Sequence, residues 1–260
     1  MIGPRRVLVT GAGRRIGAGL SIALAEAGWH VVLHYNQAAT EAQTLCETLT
    51  AAGRTVELVQ ADLAKPDDID KLMAQARSSG PLDAVINNAS LFAYDDSDTI
   101  SASEIDRHMA VNVTAPALLI RALNDQMPEG RQGAVINMLD AKLFGINPDY
   151  FSYTLSKSAC HTLTQIAAQA YAPRLRVNGI APGIVLPSGG QTEEEFQLSH
   201  KRNLLGQGAL MKEIVAAMHL LLDTRSITGE VIILDGGAHL QPPARDLSLI
   251  HISEPTRPLD

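Results

Sequence analysis

A doubly wound α/β domain, in which a seven-stranded parallel sheet carries helices on both faces, is the fold this sequence predicts. Three observations predict it. Short β-rich runs alternate with longer amphipathic stretches along nearly the whole chain, which is the pattern of βαβ crossovers. Several of the short runs are almost wholly apolar, as strands covered by helices on both sides must be. The chain has 260 residues, 46% of them hydrophobic, enough for one large core, and no linker divides it.

In chain order, the first strand covers 6–10 around Val7-Leu8-Val9, and an amphipathic stretch at 17–28 forms the first helix. The apolar run within 30–35 gives a second strand, 38–53 a second helix, 55–61 a third strand and 67–79 a third helix. A fourth strand at 83–87 leads into a long helical stretch at 103–127, then a strand at 134–139 and a helix from about 150 to 171. A strand at 176–180, a helix at 212–223 and a strand at 230–234 complete seven strands and about six helices. The region 182–208 is the one long irregular segment. It carries Pro187-Ser188-Gly189-Gly190, the acidic run Glu193-Glu194-Glu195 and a short helical possibility, and loops of this length are commonly lids or binding loops. Residues 247–257 read LSLIHISEPTR, which looks like a translated sequencing adapter, so a single folded domain over 1–246 and a non-native tail over 247–260 are expected.

The net charge of −7 and the scattered basic residues argue against a nucleic-acid footprint. Cys46 and Cys160 stand far apart without a partner motif, which argues against a disulfide framework or a zinc site and fits a reducing cytoplasm. The eight histidines show no metal-type pairing such as H-E-x-x-H. With the first strand almost at the N-terminus and no apolar run of about 18 residues, a soluble protein without signal peptide or membrane span is expected.

Two places carry chemistry. After the first strand, Thr10-Gly11-Ala12-Gly13-Arg14-Arg15-Ile16-Gly17 forms a glycine-rich turn opening a helix, where close backbone approach and the helix dipole favour a pyrophosphate. With a strand before it and a second strand about twenty residues on, the turn reads as a Rossmann-type dinucleotide site. The second strand ends in His34-Tyr35-Asn36-Gln37, with no acid to hold the adenosine ribose. Arg14 and Arg15 can pair with a 2′-phosphate, assisted by His34 and Asn36, so NADPH is favoured over NADH. The second place is Asp140, Tyr153 and Lys157. Tyr153 and Lys157 share a helix face at i and i+4, so the ammonium is expected to favour the phenolate and lower a pKa normally near ~10. Such a phenol serves as a general acid.

Together these residues resemble the short-chain dehydrogenase/reductase family over about 6–240. The likeness rests on the glycine turn, Ala61-Asp62-Leu63, Asn87-Asn88-Ala89, Asn112, the Tyr153/Lys157 pair, Pro182-Gly183 and Leu234-Asp235-Gly236-Gly237. It implies that Asp62 and Leu63 meet the adenine, that Asn88, Ala89, Pro182 and Gly183 line the cofactor, and that Asn112 supports a proton relay with Lys157. The departures are more informative. Arg15 stands where the family pattern has Gly, and Asp140 where it has Ser. Both, with His34-Tyr35 and Asn88-Ala89-Ser90 followed by Phe92, are shared with pteridine reductases and the related dihydromonapterin reductases.

That resemblance implies NADPH-dependent reduction of a dihydropteridine (dihydromonapterin, dihydrobiopterin or dihydrofolate) to the tetrahydro form. Phe92 is expected to stack on the flat ring, Asp140 to meet the amino-pyrimidine edge or Tyr153, and Ser90 and Arg15 to contact substrate or pyrophosphate. The loop at 183–204 is expected to cover the site. A ketone or alcohol reductase on the same scaffold and a non-catalytic nucleotide sensor remain the alternatives. The helical stretches 103–127 and 150–171 hold more apolar residues than one buried stripe needs, so a homotetramer or dimer through them is expected.

Overall fold

A computed structural model describes residues 5–187 and 191–247. Its strands are β1 (Arg6–Val9), β2 (His30–Tyr35), β3 (Val56–Gln60), β4 (Ala84–Asn87), β5 (Gly133–Met138), β6 (Leu175–Pro182) and β7 (Val231–Leu234). They form one seven-stranded sheet in the order β3-β2-β1-β4-β5-β6-β7, and every neighbouring pair is parallel. Strand order therefore reverses between β1 and β4. A crevice opens at such a point beyond the carboxyl ends of the strands, which is where open α/β sheets bind ligands.

Side-chain alternation divides the core into two layers. Val7, Val9, Val31, Leu33, Ile86 and Ile136 face one way, onto α1 (Arg15–Glu26), α2 (Ala39–Ala51) and α8 (Met211–Asp223). Leu8, Val32, Val85, Val135 and Val177 face the other, onto α3 (Pro66–Ala76), α5 (Ala115–Gln126) and α6 (Phe151–Tyr171). A buried polar chain crosses the second layer: Asn87 Nδ2 donates to Asn137 Oδ1 at 2.7 Å, and Asn137 Nδ2 to Thr164 Oγ1 at 2.8 Å. These bonds tie β4 and β5 to α6, because amide groups left unpaired there would cost more than the bonds return.

The long helical stretch differs from the sequence expectation, and the short helix suspected in the irregular region is present. The stretch 103–127 is α4 (Ala102–Met109), a π-helical turn at Ala110–Thr114, and α5. Pro116 in the first turn of α5 cannot donate to the carbonyl four residues back, so the ladder widens just before it. Within the irregular region lies α7 (Glu193–Lys201), started by a capping box between Thr192 and Glu195. The acidic run sits in its first turn, where the helix dipole favours negative charge.

Of the segment Pro187-Ser188-Gly189-Gly190 only Pro187 is described, and the part of the suspected tail from residue 248 onward also lies outside the described residues. Leu247 is packed, 8% exposed, with its carbonyl accepting a hydrogen bond from Ser199 of α7. Among the described residues, no helix is long and apolar enough to cross a membrane, and no His/Cys/Asp/Glu group could hold a metal ion.

Candidate active site

The glycine turn closes onto the end of β4. Thr10 Oγ1 accepts from the backbone N–H groups of Asn88 and Ala89 at 2.9 and 3.0 Å, and Asn88 Nδ2 donates to the carbonyls of Thr10 and Gly11. Gly11 has a φ of +63°, and a side chain at Gly17 would collide with the Gly11 carbonyl, so both positions require glycine. The first turn of α1 holds no acidic residue, and its N-cap, Arg14, makes no side-chain cap. Those free N–H groups and the dipole behind them fit a pyrophosphate. Arg15 adopts φ 55°, a left-handed conformation that glycine takes without strain. The turn thus keeps the shape of the family pattern while carrying a guanidinium.

Several cofactor-side expectations are corrected by this geometry. His34 does not face the crevice: it is 1% exposed, accepting from Gly11 N at 3.2 Å and bonded through Nε2 to Ala61 O at 3.1 Å. With both ring nitrogens engaged by Gly11 and Ala61, it braces the glycine turn from within the protein. Burial lowers its pKa to about 4. Arg15 points away from the β2 end, donating to the Pro187 carbonyl at 2.7 Å and lining the pocket that contains Asp140. Arg14 is exposed at the head of α1 and makes no side-chain cap there. Leu63 is buried in the core, 5% exposed, so only its backbone can border an adenine. Asn36, Asp62 and two residues that sequence reasoning missed, Lys65 and Lys71, line a second cleft beyond the ends of β2 and β3. Tyr35 is half-buried at the end of β2.

At the other end of the crevice Tyr153 Oη donates to Asp140 Oδ2 at 2.7 Å. The second carboxylate oxygen accepts from Lys142 N at 2.8 Å, so Asp140 also caps the 3-10 turn Ala141–Phe144. Lys157 Nζ donates to the Met138 carbonyl at 2.7 Å and lies over the Tyr153 ring, 5.8 Å from its centroid. Burial, then the adjacent Asp140 charge, raises the Tyr153 pKa well above its ordinary value. Burial likewise raises Asp140 and lowers Lys157. The expectation that Lys157 draws the phenol toward phenolate is therefore reversed: a carboxylate holds the phenolic proton in place. In chemical terms the pair is a protonated donor with its acceptor behind it.

Neighbouring loops fix this pair. Asp95, buried in the segment after β4, accepts from Ser152 N at 2.9 Å and from the Ser152 hydroxyl, while its carbonyl accepts from Phe151 N. It thereby supplies the start of α6 with the cap its own N-cap residue, Tyr150, lacks. Asn112, in the π turn, donates to Leu91 O and to Ser156 Oγ, both at 2.9 Å, and accepts from Leu91 N and Ser90 Oγ. Asn112 thus ties the segment bearing Ser90 and Phe92 to α6, while Lys157 Nζ is bonded to the Met138 carbonyl. Phe92 is 46% exposed, stacks on Tyr150 at 4.3 Å between centroids and meets Tyr153 edge-on at 4.7 Å. It lines the same pocket as Arg15, Ile16, Asp140 and Gly183. Gly183, following Pro182, packs so closely that a Cβ there would lie 2.9 Å from that of Asp235. From α7, Ser199 and His200 form part of the wall, where the sequence reading expected a covering loop.

A nucleotide crevice at the strand reversal, together with a buried tyrosine and lysine one helical turn apart, defines a dinucleotide-dependent oxidoreductase. Residues 5–198 match the family model described as short chain dehydrogenase, and the chain belongs to that family. Among solved structures, FolM alternative dihydrofolate reductase 1 from Brucella suis, in complex with NADP, is similar at 39% identity and a TM-score of 0.88. That match covers 92% of this chain and 97% of the other. The angucycline C-6 ketoreductase LanV with bound NADP is similar at 29% identity and a TM-score of 0.82, covering 91% of this chain and 96% of the other. Versicolorin reductase 1 of Dothistroma septosporum is 32% identical over 249 residues, 89% of this chain and 94% of that protein.

His34 provides a pH test of the turn. As pH falls, the unfolded histidine takes its proton near the ordinary 6.5, while the folded imidazole resists until about 4. Its contribution to stability is therefore complete above about 6.5 and drains away toward 4, by about 3 kcal/mol in all. Urea denaturation of the parent and His34→Gln across this range should show a shallower acid loss in the variant; equal slopes would refute the role.

Proposed function

We propose that the protein reduces a dihydropteridine to its tetrahydro form with NADPH. The observation that carries this reading is the 2.7 Å bond from Tyr153 to Asp140 beside the exposed face of Phe92. A reduced pterin is flat, aromatic and edged with ring N–H donors and acceptors. An aromatic wall suits its face, offset stacking adding about 0.5–1.5 kcal/mol beyond burial. A carboxylate suits its amino-pyrimidine edge, whereas a serine hydroxyl suits a ketone oxygen. The similarity to a protein named as an alternative dihydrofolate reductase supports the same substrate class.

NADPH, when bound, supplies the hydride. The glycine turn and the first N–H groups of α1 hold its pyrophosphate, Arg14 pairs with its 2′-phosphate, and Lys157 holds the nicotinamide ribose. Tyr153 gives its phenolic proton to the ring nitrogen as the neighbouring carbon is reduced. Asp140 keeps that proton on Tyr153 until the transfer, and Arg15 and Phe92 orient the ring. Ser199 and His200 of α7, in the pocket wall, narrow the access of water to the reacting centre. Likeness to a protein named as a ketoreductase favours ketone reduction as the second reading. Asp140 in place of serine weighs against it. The outward residues Leu155 and Ile166 of α6, 45% and 58% exposed, support self-association through that helix.

Three measurements test these statements. Fluorescence titration should give tighter binding of NADPH than of NADH, and Arg14→Ala should weaken NADPH by about tenfold while sparing NADH. Comparable losses for both cofactors would sink the 2′-phosphate role. In NADPH-oxidation assays Tyr153→Phe should remove most turnover with cofactor binding intact. Asp140→Ser should slow dihydropterin reduction by at least about tenfold, roughly 1.4 kcal/mol, without a matching loss on ketones. A serine variant as fast as the parent on dihydropterins would make Asp140 structural. Light scattering at micromolar concentration should show a dimer or tetramer, and Ile166→Glu should shift it toward monomer; a monomeric parent would contradict the interface.

A further inference from the structure

After the 3-10 turn Ala238–Leu240 the chain runs back across the site, and residues 245–247 bond to three separate parts of it. Lys142 Nζ donates to Asp246 Oδ2 at 2.8 Å and also to Asn147. The backbone N–H of the same lysine is the one that Asp140 Oδ1 accepts. Asp246 N donates to Asp149 Oδ2 at 2.7 Å, and Arg245 pairs with the Asp149 carboxylate at 2.7 Å. Asp149, 1% exposed, stands just ahead of α6 and its Tyr153. Ser199 of α7 donates to the Leu247 carbonyl at 3.1 Å. The Lys142 and Asp246 side chains are only 8% and 19% exposed, so solvent screens their attraction far less than at a surface pair.

We propose that Asp246 is a positioning residue for the proton donor: through Lys142 it holds the turn that Asp140 caps, and so sets Asp140 against Tyr153. Lys142 and Asp246 lie 104 residues apart in sequence. Charge supports the geometry. Asp246 faces Asp140 and Tyr153 closely enough that its negative charge adds to burial in raising both; for Tyr153 it comes after the Asp140 contact, and for Asp140 it works against the lowering bonds from Lys142 and Tyr153. The other groups facing the pair are Lys157 and Cys160 from α6 and Lys142 from the capped turn. The inference rests on Tyr153 as proton donor and not on the identity of the substrate.

The test uses the full chain and whichever substrate the parent reduces, a dihydropterin or a ketone. kcat and KM are measured against pH for Asp246→Ala, Asp246→Asn, Lys142→Met and the Lys142→Met/Asp246→Ala double variant, with melting temperatures alongside. Asp246→Ala should lower kcat about tenfold with KM within about twofold. Its alkaline limb should move to lower pH, since a charge that holds protons on the pair has gone. Asp246→Asn keeps an oxygen for Lys142, so it should recover most of kcat and retain the shifted limb. The double variant should be no slower than the slower single, because both changes break one linkage. An unmoved limb, losses that multiply in the double variant, or a kcat that merely follows melting temperature would overturn the proposal. If only ketones are reduced and the series behaves as described, the substrate reading falls and this inference stands. If dihydropterins are reduced and every Asp246 variant matches the parent, the inference falls alone.

Discussion

Everything at the reactive end of the crevice depends on how three buried titratable groups balance. Asp140, Tyr153 and Lys157 are enclosed together, and each charged form is penalised by that enclosure. With a serine at position 140, a lone ammonium would face the phenol and favour its anion. A carboxylate changes the sum: the Asp140 and Lys157 charges partly offset each other's burial, and the phenol donates to Asp140, whose charge raises its pKa. The same substitution that alters the recognition surface therefore alters the acid itself.

That balance is useful only if the geometry is held, and the holding is done from outside α6. Asp95 fixes where the helix begins, hence which way Tyr153 and Lys157 project. Asn112 fixes the loop carrying Ser90 and Phe92 to Ser156, one residue before Lys157. At the far side, Thr10 and Asn88 lock the glycine turn to β4. Two strand ends separated by most of a βαβαβ unit thus become one rigid rim, with the substrate wall and the nucleotide turn on opposite sides of it.

Much of this was legible in the sequence because it is periodic or local. The seven strands follow from apolar runs, the two core layers from alternation within them, and the nucleotide turn from glycines that a close approach demands. The burial of His34 was not readable from strand parity, since helices cover both faces of β2, and its place at the strand end pointed to the crevice instead. Pro116 marked the break in the long helical stretch and was passed over. The linkages Lys142 to Asp246 and Asp149 to Arg245 had no local sign at all. They join residues about a hundred positions apart, and nothing in a single sequence pairs one charge with another over that span.

The left-handed backbone at Arg15 bears on how such a protein could be engineered. A non-glycine residue in that conformation costs on the order of 1–2 kcal/mol, and the cost is borne at the mouth of the pocket, where its guanidinium is directed. Consensus substitution toward the wider family would choose glycine there and relax the turn. The gain in thermal tolerance would come with the removal of a pocket-facing cation, so a stability screen blind to turnover would select against a feature that departs from the common family pattern.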